Sequence, residues 1–204
     1  MPVLMAMGIL AIIAGGCATI PVGGGLGPVH VVGAPVPPRR VWLAGVKVVD
    51  PDIPAEGRPV IEDALTVSLK EAMAKSGQFQ EVRLLPGVPA GNDIIFRLTM
   101  ERYHATRRVH PAYFPLAILT LTVYIWAGGP VVVDRTEYAG TLTVERPDGS
   151  TQLTVTSELN SRKNISIWEP ESSGMPDIIS PRSTMIADLL GKACAQIEQA
   201  GGPP

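Results

Sequence analysis

The chain has 204 residues, of which 46% are hydrophobic, 18% charged and 5% aromatic, with a formal net charge of −2. That balance gives no case for a nucleic-acid partner, and two cysteines build neither a disulfide framework nor a cysteine zinc site. Its 21 Gly and 20 Pro exceed usual shares of roughly 7% and 5%, mean hydropathy is +0.22, and the length suits one domain plus extras.

Residues 1–16, MPVLMAMGILAIIAGG, carry no charge. The apolar stretch Val3 to Ala14 has about the length of a secretory core and falls short of the roughly 20 residues that span a bilayer. Small residues Ala14-Gly15-Gly16 lead directly into Cys17. The pattern resembles a bacterial lipoprotein signal with its lipobox. It departs from that family in having Ala14 where Leu is usual and no basic residue among the first eight. The resemblance implies that 1–16 is removed and that Cys17 becomes the first mature residue and carries the lipid. Ala18 is not Asp, which by resemblance to enterobacterial sorting implies the periplasmic face of the outer membrane.

Ala18 to Arg40 follows, with ten Gly or Pro among 23 residues, no period and no charge before Arg39. Segment 17–40 is therefore expected to be a lipidated cysteine and tether, with a stretched reach of about 70 Å.

The expected periplasmic domain spans 41–200. Val41 to Asp50 is apolar and β-branched and stops at Pro51, as a strand does. Pro59 suits a helix first turn, and Ile61, Leu65, Leu69 and Met73 recur every four residues, which predicts an amphipathic helix of about 16 residues closed by Gly77. A short strand is expected after SGQFQEV. DIIFRLTMERY (Asp93 to Tyr103) alternates and predicts a half-buried strand. Tyr138 to Glu145 and Leu153 to Glu158 alternate around Arg146-Pro147-Asp148-Gly149-Ser150, which is hairpin-turn chemistry. Asn160 to Pro181 reads as a long loop with a short strand at Ile165 to Trp168. A helix from about Ser183 to Gln199 sets Ile186, Leu189, Leu190, Ala193 and Ile197 on one face, with Cys194 as a buried, inert thiol. The order β-α-β-β-(hydrophobic insert)-β-β-α predicts an α+β two-layer sandwich, a mixed or antiparallel sheet with two helices.

This run is similar to the small periplasmic lipoprotein domains, which include activators of cell-wall synthases and the related domain of the curli secretion channel. The residues that carry the likeness are Leu65 through SGQFQEV, DIIFRLTMERY, and Tyr138 to Glu158 with its Asp-Gly turn. The resemblance implies a fold and an envelope setting and brings no catalytic residue.

The insert, 111–133, has 23 residues and no charge, but Pro115 and Gly128-Gly129-Pro130 leave only Leu116 to Ala127 unbroken. Three readings stand: a buried strand or hairpin, a flap touching the bilayer or a partner, and a pore-forming hairpin in an oligomer. Just before it lie Arg102, Arg107 and Arg108 with His104 and His110. Arginines beside an apolar, aromatic segment suit a membrane interface. Arg107, Arg108, Tyr113, Phe114, Tyr124 and Trp126 are the candidate membrane or partner contacts, set against a solvated loop.

No nucleophile elbow, Walker loop, zincin motif or dinucleotide fingerprint is present. His104 and His110 are six apart with no evident third ligand, so no metal site, catalytic residue or cofactor is expected. The expected function is a lipid-anchored, non-catalytic adaptor or assembly factor that binds an envelope partner. Rivals are an oligomeric secretion or export component using 111–133 as a membrane element, and an envelope hydrolase.

Overall fold

A computed structural model of the chain describes residues 17–20, 26, 29, 40–120, 123–170 and 177–199. The expected leader, 1–16, and most of the expected tether lie outside the described residues. The strands are β1 (Cys17–Ile20), β2 (Arg40–Val48), β3 (Glu81–Leu84), β4 (Ile94–Val109), β5 (Pro130–Glu145) and β6 (Thr151–Ser166). The helices are α1 (Arg58–Lys75), α2 (Tyr113–Leu119), α3 (Val123–Trp126) and α4 (Ile179–Gln199). The architecture is α+β, with a mixed sheet in the order β3-β2-β4-β5-β6 that does not close into a barrel.

The sheet is parallel on one side and antiparallel on the other. β2 runs parallel to both β3 and β4. Arg97 meets Glu145 on the next strand, whereas Arg107 meets Asp134, so β4 and β5 run in opposite senses. A tight turn joins β5 to β6: Arg146 N–H donates to Ser150 O (2.9 Å), and Asp148 Oδ1 accepts the Ser150 N–H (2.8 Å). Gly149 sits at φ +85°, a conformation that favours glycine.

The chain divides into two compact units, each drawn from three separated segments. Unit 2 holds 22–104, 137–160 and 178–204, and unit 1 holds 1–21, 105–136 and 161–177.

In unit 2, α1 begins with Pro in its first turn and buries Leu65, Leu69 and Met73, as the four-residue spacing predicts. β3 pairs β2 only as far as Leu43↔Leu84. Beyond it the β2 ladder bulges between Leu43 and Val46, with Gly45 at φ +89°. Side chains of α1 satisfy the exposed backbone there: Thr66 Oγ1 accepts the Val46 N–H at 2.9 Å and Glu62 Oε1 accepts the Val48 N–H at 2.8 Å. α4 buries Met185, Ile186, Leu189, Leu190, Ala193, Cys194 and Ile197. It meets β6 through Ser157 Oγ, which donates to Asp188 (2.6 Å). The buried Arg182 guanidinium donates to the Tyr103 hydroxyl and lies 5.6 Å from the Tyr103 ring centre.

In unit 1 the insert corrects one expectation. Its described residues at 113–119 and 123–126 form the short helices α2 and α3 rather than a strand or hairpin, and no residue of either helix is buried. Thr120 explains how β-forming residues come to turn helically. Its hydroxyl donates to Leu116 O (2.6 Å) and accepts the Tyr124 N–H (3.0 Å), tying one helix to the next. No described helix is long and apolar enough to cross a membrane. A second correction concerns length. β4 runs six residues past Tyr103, β5 starts at Pro130 rather than Tyr138, and β6 continues to Ser166 through much of the expected loop. Arg107 and Asp134 in these extensions pair across strands, which no single strand's pattern reveals. β2 partners β4 only to Met100, and β1 takes Ala105 to Arg108 further along β4.

Candidate functional site

The ends of β4 and β5 in unit 1 place Arg107 against Asp134 in a fork, Nε to Oδ1 at 2.6 Å and Nη2 to Oδ2 at 2.8 Å. Asp134 is buried, and its hydrogen bond raises the Arg107 pKa above the ordinary value against the opposing effect of burial. Arg107 is thus committed within the protein. Its neighbour Arg108 falls on the other side of the strand, as a period of two requires, and is exposed.

Arg108 lines a half-open cavity of about 320 Å³ with Arg135, Arg162, Val109, Pro111 and Val133. That volume is in the range of small-ligand sites. Neither Arg108 nor Arg162 has a carboxylate partner among the described residues. Two guanidinium groups without a carboxylate partner, on one concavity with an apolar wall, suit an anion that carries an apolar body.

The same unit exposes an apolar surface. Ile118 is 73% exposed and Leu119 79% on α2, and on α3 Val123 and Trp126 stand out at 62% and 72%. Trp126 packs on Trp168 (5.4 Å between ring centres), whose indole N–H donates to Ile125 O at 3.1 Å. Ile167 extends the surface. The other insert candidates are half-buried. Tyr113 and Phe114 are half-buried against each other at 5.0 Å, and Tyr124 donates its hydroxyl to Pro130 O at 3.0 Å. Of the six expected contacts, Arg108 and Trp126 are presented outward.

Ile118, Leu119, Val123, Arg135, Arg162, Ile167 and Trp168 were not individually legible, because they come from separate stretches that only the fold assembles. A tryptophan in the polar stretch after Ser161 was the available signal. Cys17 also lies in this unit. β1 pairs antiparallel with β4 in the register Cys17↔Arg108, Ala18↔Arg107, so the backbone of the lipidation candidate runs beside the cavity arginine.

Unit 2 holds a separate polar cluster. Asp50 Oδ2 accepts the Tyr103 N–H at 2.5 Å and lies 2.9 Å from His104 Nδ1, and Oδ1 accepts the Asp52 N–H at 2.9 Å. His104 Nε2 lies 3.5 Å from Glu137. Burial pushes the Asp50 pKa up, but the bonds from His104, Tyr103 and Asp52 outweigh it and the net direction is down. Asp50, Asp52 and His104 offer three ligand atoms within 4.8 Å. Both Asp50 oxygens already accept hydrogen bonds, so the cluster clamps the loop after β2 to β4. His110 has a different partner, accepting the Ala112 N–H at 3.2 Å. Cys194 is buried, and burial followed by the Glu198 charge pushes its pKa up to about 11, which makes it a poor nucleophile.

No family model matches the chain, and no curated protein matches it. Among solved structures it is similar to a minor lipoprotein of Acinetobacter baumannii, at 15% identity over 83% of this chain and 97% of that one, with a TM-score of 0.40. A lipoprotein of Neisseria meningitidis is 12% identical over 79% and 99%, with a TM-score of 0.38. An uncharacterized lipoprotein B of Nitrosomonas europaea is 8% identical over 82% and 88%, with a TM-score of 0.40. All three are named as lipoproteins, and at these identities no residue role passes from them to this chain.

Proposed function

We propose that this chain is a bacterial envelope lipoprotein, anchored through Cys17 at the periplasmic face of the outer membrane, and that it works as a non-catalytic adaptor binding another envelope component. The observation that carries the reading is a coincidence of place. The strand that begins at Cys17 belongs to the same compact unit as the exposed apolar surface of α2 and α3. An acyl anchor and an amphipathic surface on one unit act on one bilayer, whereas a single weak contact binds only marginally. The Gly- and Pro-rich composition after Ile20 and the small residues before Cys17 support the same reading.

Globomycin treatment, or Cys17→Ala, is expected to make the uncleaved precursor accumulate and, because it keeps the apolar leader, to hold it in the inner-membrane fraction instead of the outer. An unchanged processed mass and unchanged fractionation would sink the lipoprotein reading. Crosslinking in intact cells should then give a discrete adduct with an envelope component, and its absence at several surface positions would remove the adaptor role.

A further inference from the structure

We infer that the arginine-lined cavity of unit 1 is a binding site for the phosphate headgroup of an anionic phospholipid, with the apolar surface of α2 and α3 entering the acyl boundary of the same bilayer. The inference rests on the lipoprotein reading only for where the protein resides.

Charge complementarity comes first. Arg108 and Arg162 line one concavity, and neither has a carboxylate partner among the described residues. Guanidinium groups are weakly hydrated and present planar donors that match phosphate oxygens. A free anion would need only the cations. Here the cavity wall also carries Val109, Pro111 and Val133, which suits a headgroup continued by hydrocarbon.

The apolar residues agree. Ile118, Leu119 and Val123 stand exposed, and the Trp126–Trp168 pair presents indole rings beside them. Tryptophan at the headgroup level, aliphatic side chains deeper and arginine on phosphate form the layering of an interfacial element. Such a patch on a freely dissolved surface would be an aggregation liability.

The third argument is continuity with the anchor. The backbone at Cys17 pairs in register with Arg108, a residue of the cavity wall. The occupant is then a lipid of the membrane that already holds the chain.

The test uses the mature chain, residues 17–204, with Cys17→Ser, so that binding can come neither from acyl insertion nor from the apolar leader. It is sedimented with vesicles of phosphatidylglycerol and phosphatidylethanolamine, and in parallel with vesicles of phosphatidylcholine alone. Binding is expected to the anionic vesicles, to fall with added salt, and to be weak on phosphatidylcholine. The double variant Arg108→Gln/Arg162→Gln should bind about thirtyfold more weakly, the effect of removing two cations from an anionic surface. Both residues are exposed, so its melting temperature should match that of the parent. Lys47→Gln/Lys75→Gln removes the same charge from exposed sites in unit 2 and should leave binding unchanged. Trp126→Ser should weaken binding without abolishing the anionic preference.

Equal sedimentation with both vesicle types would overturn the inference, as would equal loss in the two double variants. Full competition by inorganic phosphate together with indifference to Trp126→Ser would assign the cavity to a free anion and also overturn it. So would a photocrosslinker at Trp126 that captures one protein in cells while the vesicles sediment nothing. Globomycin sensitivity of the wild-type chain is read separately, so either conclusion can fail alone.

Discussion

Single residues decide how tightly unit 2 is specified. Gly87 approaches the Trp42 ring so closely that a Cβ on it would lie 2.1 Å from a ring carbon. Trp42 is buried and its indole N–H donates to Asp93 Oδ2 at 2.8 Å. Gly87→Ala therefore has to move the ring, and a cost of about 1–3 kcal/mol is expected, with loss of near-ultraviolet circular dichroism from the displaced indole. Cys194 makes a contrasting prediction. With its pKa pushed up to about 11 it should ignore a thiol reagent at pH 8 in the native protein and react fully in denaturant. Fast native labelling would contradict its placement in the core of α4. Asp93 resembles Asp50 in its balance. Burial raises its pKa, and the Trp42 indole, the Ala90 N–H and the charges of Arg40 and Arg83 bring it below the ordinary 3.8. A carboxyl whose folded pKa is lowered contributes stability above its unfolded value and loses it as pH falls through the folded value. The denaturation midpoint should then decline below about pH 4, and Asp93→Asn should flatten that decline while lowering the midpoint near neutrality. A parallel decline in wild type and variant would remove Asp93 from the account. Such partners were not legible in the sequence: Trp42 and Asp93 are 51 positions apart, and nothing local announces their bond.

At the scale of elements, legibility followed periodicity. α1 and α4 each repeat apolar residues on one face, and of the residues so picked Leu65, Leu69 and Met73 in one and Ile186, Leu189, Leu190, Ala193 and Ile197 in the other are buried, while Ile61 in the first turn of α1 is half-buried. Leu69→Ala is expected to cost about 2–5 kcal/mol in chemical denaturation, whereas the exposed Val60→Ser should stay within about 0.5 kcal/mol. Equal costs would mean that the helix does not pack on that face. The insert has no such period. Its β-branched residues argue for strand, but the hydroxyl of Thr120 serves both α2 and α3, and Tyr124 is held by Pro130. A helix with no buried face has no stripe to read. The long strands hide their length in a similar way, because Arg107 looks like a solvated charge until Asp134 is seen opposite it.

At the scale of the whole molecule, the α+β class and the order of the main elements were legible, but the division into two units was not. Each unit draws on three stretches of chain, so a linear reading has no boundary to find. Within unit 1, pairing begins at the lipidation candidate itself, and Ala18 already lies opposite Arg107. Any slack supplied by the glycines and prolines comes after Ile20, downstream of that pairing. A lipid on Cys17 consequently fixes the height of unit 1 above the bilayer at about one residue's length, a few ångströms, where a leash of 23 residues would have allowed tens. On the proposed anchoring the chain would scan a membrane surface in two dimensions and meet what lies at the level of the headgroups.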